Sequence, residues 1–162
     1  HLGIFGDNME AKNLTIRKTT ENDIPLIYDF IKGLATYEKR PEDVTGSEEM
    51  LKFWLFERKI ATAVIAELDG NPVGYAIYYP IFGSFSAKAN VHIEDLFIKP
   101  DYRRQGLGKE FFFKLAETIK EEAYSHLEWS CLDWNAPSIE FYKKIGAKQE
   151  LGRVYFEYFP EK

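Results

Sequence analysis

A basic, glycine-rich turn is the first feature of the sequence that could do chemistry. Two arginines, two glycines and a lysine lie within seven positions of the segment DYRRQGLGKEFF (101–112). If a helix begins here, its first N–H groups lack intrahelical partners and carry the positive end of the helix dipole, and the glycines let an anion approach closely. The spacing matches neither the nucleoside-triphosphate loop nor the dinucleotide fingerprint. The turn predicts a phosphate-binding site, although a plain turn with surface arginines also fits it.

Two adjacent carboxylates, Glu94 and Asp95, interrupt the apolar segment VHIEDLFIKP (91–100). A carboxylate in a central strand costs free energy unless it is paired, hydrogen-bonded or hydrated, so this placement indicates a base or a partner for a cation. A structural salt bridge is the alternative. Because side chains alternate along a strand, the two carboxylates are expected on opposite faces, with at least one in a pocket.

A third group of polar residues lies in DWNAPSIEFYKKIGA (133–147). Asn135 or Ser138 could cap a helix whose first turn suits Pro137. Tyr142 follows one turn later, and a phenol with a pKa of about 10 can donate a proton to a thiolate leaving group. Taken alone, Tyr142 would more often be a packing aromatic.

The elements that must position these residues alternate between strands and helices. A capping box, TEND (20–23), precedes an amphipathic helix, and Gly146 would stop the last one. Strands are predicted at 14–18, 61–68, 72–80, 91–100, 126–134 and 152–159, with a loop at 81–90, and helices at 24–38, 47–57, 106–124 and 136–147. This order predicts an α/β (α+β) fold.

Composition limits the class of protein. The chain has 162 residues, suited to one domain, and 45% of them are hydrophobic, yet no run approaches the roughly 20 apolar residues needed to cross a bilayer. The net charge of −5 disfavours nucleic acid and favours a cationic substrate.

Residues 1–8 lack the features of a signal peptide and are expected to be a tag or a disordered leader before a single domain at 9–162.

Cysteine and histidine content indicates a cytoplasmic protein without a metal site. The single cysteine, Cys131, allows no internal disulfide or cysteine-based zinc cluster, and it fits a buried core thiol better than an acyl-carrying nucleophile. The three histidines show no ligand spacing.

The turn RRQGLG (103–108) fits the [QR]-x-x-G-x-[GA] acetyl-CoA signature and resembles the GNAT superfamily of N-acetyltransferases. Together with LATYE (34–38), 93–108 and 133–147 resemble its diamine (spermidine/spermine) acetyltransferase branch. The resemblance implies a central, mixed, mostly antiparallel sheet of six to seven strands with about four helices. It also implies acetyl-CoA as co-substrate and a homodimer, for which the final aromatic segment is a plausible contact.

The resemblance implies a cofactor site along one strand edge and two helix starts. The backbone of Leu96, Phe97 and Ile98 would pair with pantetheine. The diphosphate and the cofactor's arm would be held by Arg103, Arg104, Gln105, Gly106, Leu107, Gly108, Lys109, Asn135, Ala136, Pro137 and Ser138.

The resemblance also implies a catalytic pair, with Tyr142 as general acid and Glu94 facing the amine as base, directly or through water. A protonated alkylamine must lose a proton before it attacks a thioester, and direct transfer needs no acyl-enzyme. The implied substrate-binding residues are Tyr37, Glu38, Glu94, Asp95, Glu128, Trp129 and Ser130.

The identity of the acceptor remains open in the sequence. After Gly146 the chain is shorter than the eukaryotic polyamine enzymes, lacks their tryptophan and carries Arg153 instead. A basic residue near the pocket would repel a long polycation, so an amino acid or a small amine stays an alternative to a polyamine. A non-catalytic acetyl-CoA sensor is a second alternative, which Glu94 and Tyr142 disfavour because a pure binder needs neither.

Overall fold

A computed structural model of the chain describes residues 2–3, 13–103 and 106–161. The six strands of these residues are β1 (Leu2–Gly3), β2 (Leu14–Lys18), β3 (Thr62–Leu68), β4 (Asn71–Gly83), β5 (Lys88–Ile98) and β6 (Leu127–Glu128). They form one sheet in the order β1-β5-β4-β3-β2, and β6 also pairs with β5. The neighbours from β2 to β5 are antiparallel, whereas β1 and β6 run parallel to β5. The predicted mixed, mostly antiparallel sheet is confirmed.

Four helices of the described residues flank the sheet, as predicted. They are α1 (Ile24–Tyr37), α2 (Glu48–Lys52), α3 (Leu107–Glu121) and α4 (Ala136–Lys144). A π-helical turn, Phe53–Glu57, extends α2, and short 3-10 turns lie at 21–23, 41–43 and 100–102.

The start of α1 confirms the predicted cap. The Thr20 N–H donates to Asp23 Oδ2 at 2.8 Å, which satisfies a backbone donor that the helix itself cannot pair. Arg17 on β2 holds the same carboxylate, with Nη2 2.8 Å from Oδ1. One carboxylate thus joins the edge strand to the first helix.

Each face of the sheet buries its own apolar cluster. The α1 face includes Ile27, Phe30, Ile65, Tyr75 and Phe97, and the α3–α4 face includes Val64, Ile93, Phe111, Leu115 and Phe141. The helical members recur every three or four residues, as expected for helices with one buried stripe.

A β-bulge in β5 overturns one sequence expectation. Asp95 pairs with Ile77 and Ile93 pairs with Tyr78, so Glu94 is an extra residue without a partner on β4. The bulge breaks the period-two alternation, and the prediction that Glu94 and Asp95 point to opposite faces is wrong. Both line one pocket on the α1 face.

Three element predictions are also wrong in extent. The predicted loop 81–90 is mostly a hairpin, because β4 continues to Gly83 and β5 begins at Lys88. The strand predicted at 126–134 is limited to Leu127–Glu128. Within the described residues 151–161 no strand forms, and the aromatic residues there are exposed. A strand needs a partner edge, and the two-residue β6 offers almost none.

Candidate active site

Two short strands share one edge of β5. Strand β6 pairs with β5 only at Val91–Leu127 and His92–Glu128, so it leaves the edge of 96–98 to other partners. In the structure β1 uses this edge, with Leu2 opposite Leu96 and Gly3 opposite Phe97. A pantetheine chain paired with the same backbone would therefore have to displace β1.

The start of α3 has the geometry of an anion site. Gly106 is the N-cap with φ of 73°, a left-handed conformation that favours glycine. The Glu110 N–H makes an intrahelical bond to the Gly106 carbonyl at 3.1 Å, so the N–H groups of Leu107, Gly108 and Lys109 precede the helix's own ladder. These donors suit a phosphate. Arg104 and Gln105 lie outside the described residues.

The Arg103 side chain packs against the protein and does not extend into solvent. Its Nε donates to the Ile98 carbonyl at 3.0 Å, and its guanidinium lies 4.4 Å from the centre of the Tyr37 ring and 5.3 Å from that of Phe97. Burial lowers the pKa of this guanidinium from its ordinary value. Arg103 thereby joins the end of β5 to the end of α1.

The start of α4 is capped as the sequence suggests. Asn135 Oδ1 accepts the Ser138 N–H at 3.3 Å, and Asn135 Nδ2 donates to the Tyr37 hydroxyl at 3.4 Å. Ala136 and Pro137 form the exposed first turn, while Ser138 is fully buried. Asn135 therefore links the start of α4 to the end of α1.

Tyr142 is buried with an unused hydroxyl. Its ring packs edge-on against Trp129 and Phe141, with centroids 5.4 and 5.7 Å away. Neither the Tyr142 hydroxyl nor that of Ser138 meets the geometry of a hydrogen bond with any described residue, although Ser138 lies close enough to the phenol to oppose part of the rise in its pKa. Burial, with a smaller contribution from Cys131, raises the pKa of the phenol, so Tyr142 keeps its proton at neutral pH.

Two orphaned hydroxyls one turn apart fit a polar ligand, because buried polar groups in proteins are normally satisfied. Together with the donors at the start of α3 and the edge of β5, they fit an acyl-CoA. Cys131, half-buried beside them, has its pKa raised by burial and so stays a thiol.

Glu94 begins a short chain of polar side chains that leads outward. Its Oε1 lies 3.4 Å from the Tyr79 hydroxyl, which donates to it, and 3.8 Å from His92 Nε2. His92 Nδ1 is in turn 3.4 Å from Glu128 Oε1. The Glu94 side chain is 43% exposed and that of Glu128 51%, so water can reach both carboxylates.

Asp95 is held in place by a buried tyrosine. The Tyr75 hydroxyl donates to Asp95 Oδ2 at 2.7 Å, and the Tyr75 ring stacks on Phe30 at 5.4 Å. Burial and the negative charge of Asp95 raise the pKa of the Tyr75 phenol. These contacts suit a positioning group better than a mobile base.

A pocket of about 520 Å³ lies between α1, α2 and the bulged strands. Apolar side chains of α1, of the turn after α2 and of β4 form much of its wall. Its charged lining residues among those described are Glu38, Arg40, Asp43, Glu94 and Asp95. The excess of carboxylates suits a cationic guest.

The other predicted substrate residues lie elsewhere. Trp129 packs on Phe112 at 5.1 Å and on Tyr142, Tyr37 borders Asn135, and Ser130 is exposed. None of them, nor Glu128, lines the pocket.

Sequence reasoning missed the pocket residues Arg40, Asp43 and Trp54. The available signal was the charged loop EKRPEDVTGS (38–47), which joins two helices that must cover the same sheet face.

Two further observations concern the described part of the chain. It contains no group of three or more His, Cys, Asp or Glu residues placed to hold a metal ion. Its helices are also too short or too polar to cross a membrane.

Solved structures share this fold. An aminoglycoside acetyltransferase from a soil metagenome, in complex with sisomicin, aligns with a TM-score of 0.76 at 21% identity over 91% of this chain and 97% of its own. A predicted acetyltransferase with acetyl-CoA from Clostridium acetobutylicum gives 0.72 at 17% identity, over 89% and 96% of the two chains. The fold is thus that of the acetyltransferases.

Sequence comparison defines the family. The acetyltransferase (GNAT) family matches residues 27–147. A thialysine N-epsilon-acetyltransferase of Sus scrofa is 34% identical, covering 84% of this chain and 85% of the relative, and an L-ornithine N5-acetyltransferase of Arabidopsis thaliana is 24% identical, covering 82% and 78%. The chain belongs to the GNAT family and is an N-acetyltransferase.

Proposed function

We propose that the protein transfers an acetyl group from acetyl-CoA directly to a primary amine of a small cationic acceptor. The observation that carries this proposal is the bulge in β5, which turns both Glu94 and Asp95 into the pocket next to the edge of 96–98. An amine held there would lie beside the place that the family resemblance gives to pantetheine.

The cofactor would be held by groups from three elements. After β1 is displaced, the edge of 96–98 would pair with it. The N–H groups of 107–109 would meet its diphosphate, and 135–138 would border its arm. When bound, acetyl-CoA supplies an acetyl group activated as a thioester. The exposed side chain of Lys109 and the half-buried Arg103 would add positive charge near the diphosphate.

The protein's own residues would move two protons. Glu94 would take a proton from the ammonium of the acceptor, directly or through a water molecule, because only the neutral amine is a nucleophile. His92 and Glu128 offer that proton a route to the surface. Tyr142 holds a proton on Oη and would donate it to the departing sulfur, while Asp95 would orient the amine.

The charge of the pocket and the names of the relatives support this class of acceptor. Glu38, Asp43, Glu94 and Asp95 make the pocket acidic. The relatives named above act, by their names, on thialysine and L-ornithine, which are amino acids with a side-chain amine. Both a diamine-like polyamine and an amino acid of this kind fit the acidic pocket.

The test is an assay of free thiol release with acetyl-CoA and a panel of polyamines, basic amino acids and aminoglycosides. Glu94→Gln should lower kcat by about 100-fold, the usual scale for a general base, and leave the KM for acetyl-CoA unchanged. Glu67→Gln is the control, because Glu67 pairs with Arg17 outside the pocket. Absence of turnover with every amine, despite acetyl-CoA binding, would contradict the proposal.

We also infer a cytosolic homodimer that does not bind nucleic acid. The net charge of −5 supports the last point, and a single half-buried thiol suits a reducing compartment. The exposed aromatic residues of 154–159 support a contact with a second copy.

A further inference from the structure

The outer part of the pocket carries a pair of opposite charges. Arg40 and Asp43 both line it, and their side chains are 46% and 51% exposed. Glu38 and Asp95 line the same pocket but are only 7% exposed. The pocket therefore has an acidic inner part and an outer part with one positive and one negative group.

The backbone holds this outer pair in place. The Arg40 N–H donates to the Ala35 carbonyl at 2.8 Å, which ties the loop to α1. A 3-10 turn, Pro41–Asp43, follows, and the Asp43 N–H donates to the Arg40 carbonyl at 3.0 Å. The side chains then meet, with Arg40 Nε 2.5 Å from Asp43 Oδ2.

The ion pair with Asp43 leaves most of the Arg40 hydrogen-bond donors unused. A guanidinium has five N–H donors, and the bond to Asp43 uses the one on Nε. Among the described residues, its two terminal nitrogens make no hydrogen bond. That terminal edge is the part of a guanidinium that binds a carboxylate through two parallel hydrogen bonds.

We propose that Arg40 and Asp43 recognise the head group of an α-amino acid, so that the acceptor is a basic amino acid acetylated on its side-chain amine. Arg40 binds the α-carboxylate, Asp43 binds the α-ammonium, and the side chain carries the distal amine across the pocket to Glu94, past the inner carboxylates. This inference rests on the proposed function, since it names the acceptor of the same site.

The charge pattern separates this acceptor from a linear diamine. A basic amino acid presents a carboxylate and an ammonium at one end and an amine at the other, which complements the outer pair and the inner carboxylates together. A diamine or polyamine presents a cation at both ends and leaves Arg40 facing a like charge, which disfavours it. The apolar wall between the two ends suits a short methylene chain.

The experiment compares acceptors that differ only in the α-carboxylate: L-ornithine with putrescine, and L-lysine with cadaverine. The wild-type protein should prefer each amino acid over its decarboxylated counterpart by about tenfold or more in kcat/KM, the scale of a charge-assisted hydrogen bond. Arg40→Gln should bring both ratios close to one. The change should be in KM, because the head group lies away from the reacting amine and binds equally before and during the reaction.

Lys32→Gln is the matched control, because Lys32 and Asp29 also form an exposed ion pair three residues apart, on α1 but outside the pocket. It should leave the ratios unchanged. Calorimetric titration of the protein without acetyl-CoA should show the same loss of L-ornithine binding in Arg40→Gln, and unchanged thermal unfolding shows that the variant folds.

Equal turnover of the amino acids and the diamines by the wild-type protein would overturn this inference and leave the proposed function standing. An Arg40→Gln variant that keeps the wild-type preference would do the same. Absence of turnover with all four amines, while a polyamine or an aminoglycoside is acetylated, would likewise overturn this inference and leave the proposed function standing. Absence of turnover with every amine of the wider panel would instead contradict the proposed function itself.

Discussion

Tyr142 illustrates how burial sets the chemistry of a single residue. Its ring is enclosed by Trp129 and Phe141, and its hydroxyl makes no hydrogen bond of regular geometry with a described residue. An unsatisfied buried hydroxyl costs stability, so its presence beside the proposed cofactor site indicates a ligand that completes it. The raised pKa keeps the hydroxyl protonated, which a donor to a leaving group requires.

Replacing Tyr142 with Phe should therefore lower kcat by about 100-fold, because the departing sulfur loses its proton donor. The affinity for acetyl-CoA, measured by calorimetry, should change little, since the ring and its packing remain. Tyr78→Phe is the control, because Tyr78 is a buried tyrosine whose hydroxyl donates to Glu122 at 3.1 Å, away from the pocket. A loss of acetyl-CoA binding in Tyr142→Phe would show that the hydroxyl is structural.

At this scale the sequence predicts residues that belong to a motif and misses those that do not. Asn135 carries a local signal for a helix cap, and the structure confirms the cap. Gly106 belongs to the glycine-rich turn that the sequence singles out, and the structure adds that it adopts a left-handed conformation. Arg40 and Asp43 carry no such signal. They line the pocket only because α1 and α2 pack over the same face of the sheet. This packing belongs to the tertiary structure and leaves no local pattern in the sequence.

At the scale of the elements, strand β5 shows what the alternation of apolar and polar residues cannot predict. Apolar alternation identifies the strand, but a bulge adds one residue without changing the composition, so the sequence cannot show where the alternation shifts. The shift at Glu94 places two carboxylates on one face. The proposed active site lies at this irregularity, and β-bulges are over-represented next to active sites.

The start of α1 gives a prediction that depends on pH. The Arg17 guanidinium, helped by the Thr20 N–H, holds the pKa of Asp23 below its ordinary value of 3.8. Because the pKa is lower in the folded state, this carboxylate stabilises the fold above its unfolded pKa, and the contribution is lost as the pH falls through the folded pKa.

Asp23→Asn should lower the free energy of unfolding by about 1 kcal/mol at pH 7, or about 3 °C in Tm. The difference from wild type should shrink once the pH falls below the ordinary pKa of 3.8, and it should disappear below the pKa of the folded state, where the wild-type carboxylate is also uncharged. Thermal unfolding followed by circular dichroism at pH 7 and pH 3.5 checks this. Asp29→Asn, which breaks the exposed pair with Lys32, should have little effect at either pH.

At the scale of the whole molecule, the segment 154–159 exposes apolar surface. Large apolar side chains from Val154 to Phe159 are about four-fifths exposed. A contiguous exposed apolar segment of this kind marks an interaction surface. The sequence predicted a strand here from its alternating aromatics, but a strand forms only where a neighbouring edge can pair with it, and the described residues of one chain leave this segment unpaired.

The proposed dimer would give this segment its partner. Light scattering after size-exclusion chromatography should show the mass of two chains at micromolar concentration. In a twofold-symmetric dimer Phe156→Asp removes two buried rings, each contributing about 2 kcal/mol, so the dimer should weaken by about a thousandfold. Phe85→Asp is the control, because Phe85 is fully exposed in the hairpin turn between β4 and β5. A wild-type chain that stays monomeric at all concentrations would show that another partner, or none, covers the aromatic segment.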